Sequence, residues 1–309
     1  MARKQLAAKP GTRPGTFRPD NIISFTVGEH DPGELLEFLI AKMPDSRRTT
    51  LKDYLKYHQV MAGNNVMTRF DHPLRPGDTV KVNTTREFQV FSHPRIKLVY
   101  EDDDVIVIEK GYGLLSMGTD KIKDGTAYSI LREYLKRKDP RNKLFIVHRL
   151  DRDTTGLMMF AKNMEAKDTM QHNWNNMVLE RKYVAVVEGE LDPPQGRIRS
   201  YLAENSAHEV YSTHDPEKGQ LAITDYVTLK SRKPYSMVEL SLATGRKNQI
   251  RVHMKEAGHP IVGDRRYGAQ PSPIHRLCLH AQTLRFVHPV TRRDMSFTSP
   301  LPAGFFRLV

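Results

Sequence analysis

The sequence predicts an α+β fold: a large domain built on a mixed, largely antiparallel β-sheet with flanking helices, preceded by a small α/β module. Three observations predict it. Short apolar runs of strand length outnumber helical patterns beyond residue 98, and no internal repeat organises them. A polar stretch, Thr84 to Lys97 with Pro94 inside it, separates those runs from a compact helix and hairpin pattern upstream. With 309 residues, 39% of them apolar, the chain is long enough to bury the core of a large domain and a smaller one.

Taken in order, residues 1–30 read as a basic flexible arm. Arg3, Lys4, Lys9, Arg13 and Arg18 stand there among Pro10, Gly11, Pro14, Gly15 and Pro19, with no acid before Asp20. The prolines and glycines break any amphipathic helix, so the segment does not read as an organellar targeting peptide. Residues 31–83 form the module. Leu35, Leu36, Phe38, Leu39 and Ile40 predict a helix stopped near Pro44, and Thr49 to Tyr57 a second one. Arg48, Lys52 and Lys56 recur every fourth residue and so form one basic stripe on it. Val60 to Met67 reads as a hairpin around Gly63-Asn64-Asn65, and Pro76-Gly77-Asp78 turns into a strand over Thr79 to Val82.

Residues 84–97 are expected to be a linker and residues 98–309 the large domain. Val105 to Ile108 is a strand and Ala127 to Arg137 a helix. Asn163 caps a helix with Ala166, Met170, Trp174 and Met177 on its apolar face. Arg181 to Glu188 alternates as a strand, putting Tyr183, Ala185 and Val187 on one face. Met237 to Leu242 is another strand. Arg246 to Met254 reads as a helix ended by Gly258 with Pro260 beyond. Ile250, Met254 and Ala257 would anchor that helix, leaving Lys247, Arg251 and Lys255 on a cationic face.

The most informative segment is His148-Arg149-Leu150-Asp151-Arg152-Asp153-Thr154-Thr155-Gly156. It is a charged loop between two apolar runs, Leu144 to Val147 and Leu157 to Phe160, that read as buried strands. A loop so placed is held at the end of a sheet with its side chains outward. Crowding Asp151 with His148, Arg149 and Arg152 is expected to lower its pKa and keep it ionised, as a nucleophilic or basic carboxylate requires. A structural ion-pair turn is the alternative. Arg251 can hold a carboxylate through two parallel hydrogen bonds, and Tyr183 offers either core packing or a ring on which a nucleobase stacks.

Composition narrows the partner. Lys and Arg total 48 against 36 Asp and Glu, a net charge of +12 that favours a polyanion, nucleic acid before an anionic membrane. One cysteine, Cys278, excludes an intramolecular disulfide and multi-cysteine zinc sites, and suits a reducing, cytoplasmic setting. The 13 histidines show no ligand pair at helical spacing, so neither a metal nor another cofactor is expected. No run of about 18 apolar residues is present, so no membrane span is expected either.

Three segments in this order resemble the RluA-type pseudouridine synthases. His148 to Gly156 matches the family's HRLD motif and the turn after it. Lys182, Tyr183, Ala185, Val187 and Gly189 match its K-Y-x-A-x-V-x-G strand, and Gly245 to His253 its G-R-T-H-Q-I-R-V-H motif. Lys247 and Asn248 replace the usual Thr-His. Residues 31–83 are similar to the αL-type RNA-binding module that often precedes this catalytic domain. The resemblance implies a monomeric enzyme that isomerises uridine in RNA without a cofactor. Asp151 would be the catalytic aspartate, Arg251 its salt-bridge partner, Tyr183 the tyrosine beneath the uracil, and Arg149 the residue entering the gap left by the flipped nucleotide. Arg246, Lys247, Asn248 and Gln249, with Arg48, Lys52 and Lys56 of the module, would contact RNA. Large-subunit ribosomal RNA is the expected target, with transfer RNA the alternative. An N-glycoside hydrolase and a non-catalytic RNA-binding protein of ribosome assembly are the rival readings.

Overall fold

The structure is a computed structural model that describes residues 21–309 except 64, 89, 90 and 121. The chain divides into two compact units, residues 1–90 and 91–309.

The first unit holds β1 (Ile22–Thr26), α1 (Leu35–Lys42), α2 (Arg48–Lys56), β2 (Val60–Ala62), β3 (Asn65–Val66) and β4 (Thr79–Asn83). Its antiparallel sheet runs β1-β4-β2-β3. Leu35, Phe38 and Leu39 of α1 pack with Leu51 and Leu55 of α2 against Val60, Val80 and Val82. The expected arm of residues 1–30 therefore ends too late. Ile22 to Thr26 alternates in burial, pairs along β4, and sets the Phe25 ring edge-on to Phe38 at 6.3 Å. A lone strand of five residues gains its partner only from β4, more than fifty residues on, which a local reading does not supply. Residues 1–20 of that arm lie outside the described residues, as does Asn64 of the hairpin turn.

The second unit comprises β5 (Ile96–Glu101), β6 (Val105–Lys110), α3 (Ala127–Lys138), β7 (Phe145–Ile146), β8 (Thr155–Ala161), α4 (Met164–His172), α5 (Trp174–Met177), β9 (Val178–Glu188), β10 (Gln195–Glu204), β11 (Val210–Thr213), β12 (Gln220–Arg232), β13 (Tyr235–Leu242), α6 (Gln249–Glu256), β14 (Leu279–Val287), β15 (Asp294–Thr298) and α7 (Ala303–Phe306). Its sheet runs β11-β10-β12-β13-β9-β14-β8-β6-β5, with β15 on β14 and β7 on β8. Among the described residues every pairing is antiparallel except β14 with β8, so the sheet is mixed and largely antiparallel. The core lies along its middle strands, where Val184 to Val187 and Met158 to Phe160 are buried on both faces.

Two boundaries differ from expectation. The expected linker, residues 84–97, is divided between the units: the Thr84 amide donates to the Asn21 carbonyl, whereas Phe91 packs on Tyr134 at 5.0 Å and Ile96 already begins β5. The single helix expected after Asn163 breaks at Asn173 into α4 and α5, although Asn163 does cap it by accepting from the Ala166 amide at 2.8 Å.

Candidate active site

The charged loop sits where β7 gives way to β8, at the end of β8 that runs parallel to β14. Glycine is required there. Gly156 has φ +110°, and a Cβ on it would lie 2.1 Å from the Ala281 carbonyl oxygen. Two side chains, one closing β6 and one from the loop after it, tie the motif down. Ser116 Oγ donates to the Leu150 carbonyl at 2.6 Å and accepts from the Leu150 amide at 3.1 Å. Lys110, fully buried at the end of β6, donates through Nζ to the carbonyls of Leu114 at 2.8 Å and Arg152 at 3.0 Å. Burial pushes that ammonium down to about 7, against the pull of Asp153 and Asp151. Asp151 is thus bracketed by Leu150 and Arg152, both anchored through their backbone.

Arg251 comes to Asp151 from α6, with Nη1 3.7 Å from Oδ2. Its fork is committed elsewhere. Nε and Nη2 donate to the two oxygens of Asp264 at 2.7 Å each, and Nη1 donates to Asn248 Oδ1 at 3.0 Å. The guanidinium also lies 4.8 Å from the Tyr267 ring, whose hydroxyl accepts from Asn248 Nδ2 at 3.0 Å. Asp264 is 2% exposed, so this is a buried, bidentate, charge-assisted pair with a fixed geometry. The second N–H of Nη1 remains for Asp151.

The electrostatics of Asp151 overturn the expectation of a lowered pKa. Its side chain keeps 28% exposure, yet burial among protein atoms pushes the carboxyl above its ordinary value, opposed by Arg251, Arg149 and Lys110. Two of the expected helpers are missing. Arg152 turns its fork onto Asp153 at 3.1 Å. His148 accepts from the Met159 amide at 3.0 Å, packs 5.2 Å from the Trp174 ring, and is held neutral because burial pushes it down to about 3. Local charge count therefore gives the wrong sign, because burial is a tertiary property.

Tyr183 lies on β9 between Leu240 of β13 and Ala281 of β14. With Arg149, Asp151, Leu279, Ile250 and Arg251 it lines a chamber of about 60 Å³. Burial raises its hydroxyl to about 12, and the Asp151 charge acts in the same direction, so the phenol stays protonated at neutral pH. Arg149 is exposed and borders both this chamber and a larger cleft of about 880 Å³. The fold brings Asp151, Tyr183, Arg251 and Arg149 together from three separate parts of the sequence.

The expected RNA contacts next to Arg251 need correction. Helix α6 starts at Gln249, not at Arg246, with Asn248 as a left-handed cap at φ 54°. Gln249, 2% exposed, donates to Thr224 Oγ1 and the Ile223 carbonyl while accepting from Thr244 and the Arg246 amide. It is an internal brace with no group left for RNA. Asn248, 7% exposed, likewise spends its carboxamide on Arg251 and Tyr267. Lys247 pairs with Glu204 at 2.5 Å on the cleft wall, and Arg246 is exposed with Nε on the Leu221 carbonyl at 3.0 Å. In the first unit Arg48, Lys52 and Lys56 are all exposed along α2; Arg48 meets Glu37 at 2.9 Å and Lys56 lies 5.0 Å from the Tyr57 ring.

Lys110, Ser116, Asp264 and Tyr267 are the residues that sequence reasoning missed. None of them carries a local signal; Lys110 follows Glu109 directly after the apolar run Val105 to Ile108 and reads as one half of a charged strand end.

A family model described as RNA pseudouridylate synthase matches residues 104–256. "Ribosomal large subunit pseudouridine synthase D" of Escherichia coli O6:H1 is 30% identical over 93% of each chain. "Uncharacterized RNA pseudouridine synthase YlyB" of Bacillus subtilis (strain 168) is 32% identical over 94% of this chain and 97% of its own. The solved structure of "Human RNA Pseudouridylate Synthase Domain Containing 4" superposes with a TM-score of 0.57 at 24% identity, over 68% of this chain and 90% of that one, a likeness of fold. Identity of this extent over nearly the whole length of both chains makes the chain a member of the RluA-type family of RNA pseudouridine synthases, an isomerase.

Proposed function

We propose that this enzyme isomerises uridines of large-subunit ribosomal RNA in the cytoplasm, acting as a monomer with Asp151 as the reacting carboxylate. The observation that carries the role of Asp151 is its position, on a loop pinned on both sides and faced by an arginine that Asp264 immobilises. The target rests on likeness to the Escherichia coli relative, whose name specifies the ribosomal large subunit.

In the reaction the bond from base to sugar breaks, the uracil turns, and a carbon–carbon bond forms in its place, so every substrate atom reappears in the product. The nucleotide has to leave its stack, at a cost of a few kcal/mol. Arg149 at the mouth of the chamber fills the gap it leaves. The Tyr183 ring lies beneath the uracil, and its protonated hydroxyl does not compete with Asp151 as a base. Arg251 keeps the carboxylate charged and aimed as RNA displaces water from the chamber, when further burial would otherwise favour its protonation. Arg246 and Lys247, with Arg48, Lys52 and Lys56, contact the RNA backbone.

Mapping pseudouridines in ribosomal and transfer RNA from cells with and without the gene tests the target. Loss of one or more large-subunit sites is expected; loss confined to transfer RNA would refute it.

A further inference from the structure

The large cleft, onto which Asp151 and Arg251 also open, has two further kinds of lining. Tyr112, Leu115 and Met117 bring apolar surface from the loop after β6, while Arg152, Arg265 and Arg266 bring positive charge. Tyr112 leaves 41% of its surface open, which core packing does not explain. Its ring is nevertheless held. The Arg276 guanidinium lies 5.4 Å from it and 5.3 Å from the Phe305 ring. Arg276 is itself tied to the sheet, donating through Nη2 to Thr155 Oγ1 at 2.8 Å and through Nε to the Leu277 carbonyl at 3.1 Å. The backbone carrying the ring is equally confined, because a Cβ on Gly111 would meet the Arg95 carbonyl at 2.9 Å and Gly113 turns with φ +71°.

A fixed, open aromatic face beside several cations is what a groove for single-stranded nucleic acid requires: a ring for a base and charges for phosphates. Asp151, Arg149 and Arg251 line both spaces; Tyr183 borders the small recess of about 60 Å³, whereas Tyr112 stands on the wall of the cleft of about 880 Å³, which has room for a nucleotide next to the reacting one. We propose that Tyr112 is a stacking platform for the base of a nucleotide flanking the reacting uridine, with Arg265 and Arg266 binding phosphates of the same strand. The proposal rests on the RNA isomerase activity assigned above. Arg276 is a positioning residue that keeps the ring at the cleft wall.

The test uses the full-length enzyme and total RNA from cells lacking the gene, which contains the unmodified target whatever its class. Initial rates of pseudouridine formation against RNA concentration separate KM from kcat. Tyr112→Ala and Tyr112→Leu are each expected to raise KM about tenfold, within the range measured for loss of one base stack, with kcat within about twofold of the wild type. Tyr112→Phe should match the wild type. Leucine covers Arg276 without offering a π-face, so recovery of KM by Tyr112→Leu would overturn the proposal in favour of simple packing. An unchanged KM in Tyr112→Ala would overturn it as well. The wild-type rate on the same RNA reports separately on the isomerase reading, and melting temperatures identify any variant that fails to fold.

Discussion

Arg251 grips Asp264 with two hydrogen bonds of 2.7 Å, shorter than its 3.7 Å approach to the carboxylate it faces in the cleft. The buried aspartate, not the reacting one, therefore sets where the guanidinium points. The arginine is preorganised, and Asp151 remains free to engage substrate.

Asp264→Asn should leave Arg251 with a weaker and wrongly hydrogen-bonded anchor. Because small misplacements at a reacting centre cost on the order of 100-fold in rate, the single-turnover rate should fall by about that factor while RNA affinity changes little. Single-turnover assays beside filter binding check this; loss of affinity without loss of rate would show that Asp264 supports binding instead.

Asp151→Asn should stabilise the fold. The carboxyl has a folded pKa raised by burial, so the folded state binds more protons than the unfolded state above the ordinary Asp value. Stability then falls as pH rises through that window, and a neutral isostere removes the cost. A melting temperature above the wild type at neutral pH is expected, with the difference shrinking in acid. The same raised pKa places the acid limb of kcat above the ordinary carboxylate value, activity rising as Asp151 ionises.

Three histidines predict the acid limit of stability. Burial depresses His148 to about 3, and His253 and His280 to about 4. Their unfolded forms take up protons below about pH 6.5, so stability present above that pH is lost progressively on acidification toward about pH 4. Urea unfolding at a series of pH values checks the sign: a midpoint unchanged between about pH 7 and about pH 5 would contradict it.

Lys110→Met should remove the only donor seen on the Arg152 carbonyl among the described residues while keeping the volume. Carbonyls left unsatisfied in a buried site cost about 1–3 kcal/mol. A lower melting temperature and a reduced kcat with unchanged KM are expected, since Lys110 holds the motif loop and lies away from the cleft.

Lys52→Gln with Lys56→Gln should weaken RNA binding uniformly and flatten its salt dependence. Each phosphate that is no longer neutralised reduces the slope of log K against log salt by about 0.7–0.9. kcat at saturating RNA should not change. An unaltered slope would remove α2 from the interface.

The site was legible in the sequence where its parts are local. Asp151, Tyr183 and Arg251 each stand in a segment whose neighbours announce it, and the apolar runs around them predicted the strands that hold the motif loop. What was not legible depends on chain folding. Asp264 and Tyr267 take their meaning only from packing against Arg251. Gln249, an RNA contact by the resemblance alone, is buried because its amide braces β12 through the Ile223 carbonyl and Thr224 Oγ1, partners that stand some 25 residues away in sequence. The strand Ile22–Thr26 was hidden because its pairing partner lies at Thr79–Asn83. The sign of the Asp151 shift was missed because sequence shows nearby charge but not burial.

The most direct test of the central claim is pseudouridine formation by purified Asp151→Asn on total RNA from cells lacking the gene, with RNA binding measured in parallel. Binding within about threefold of the wild type, less than the 1.4 kcal/mol that a tenfold change represents, and no detectable product are expected. Product formed at a rate near that of the wild type would contradict the claim.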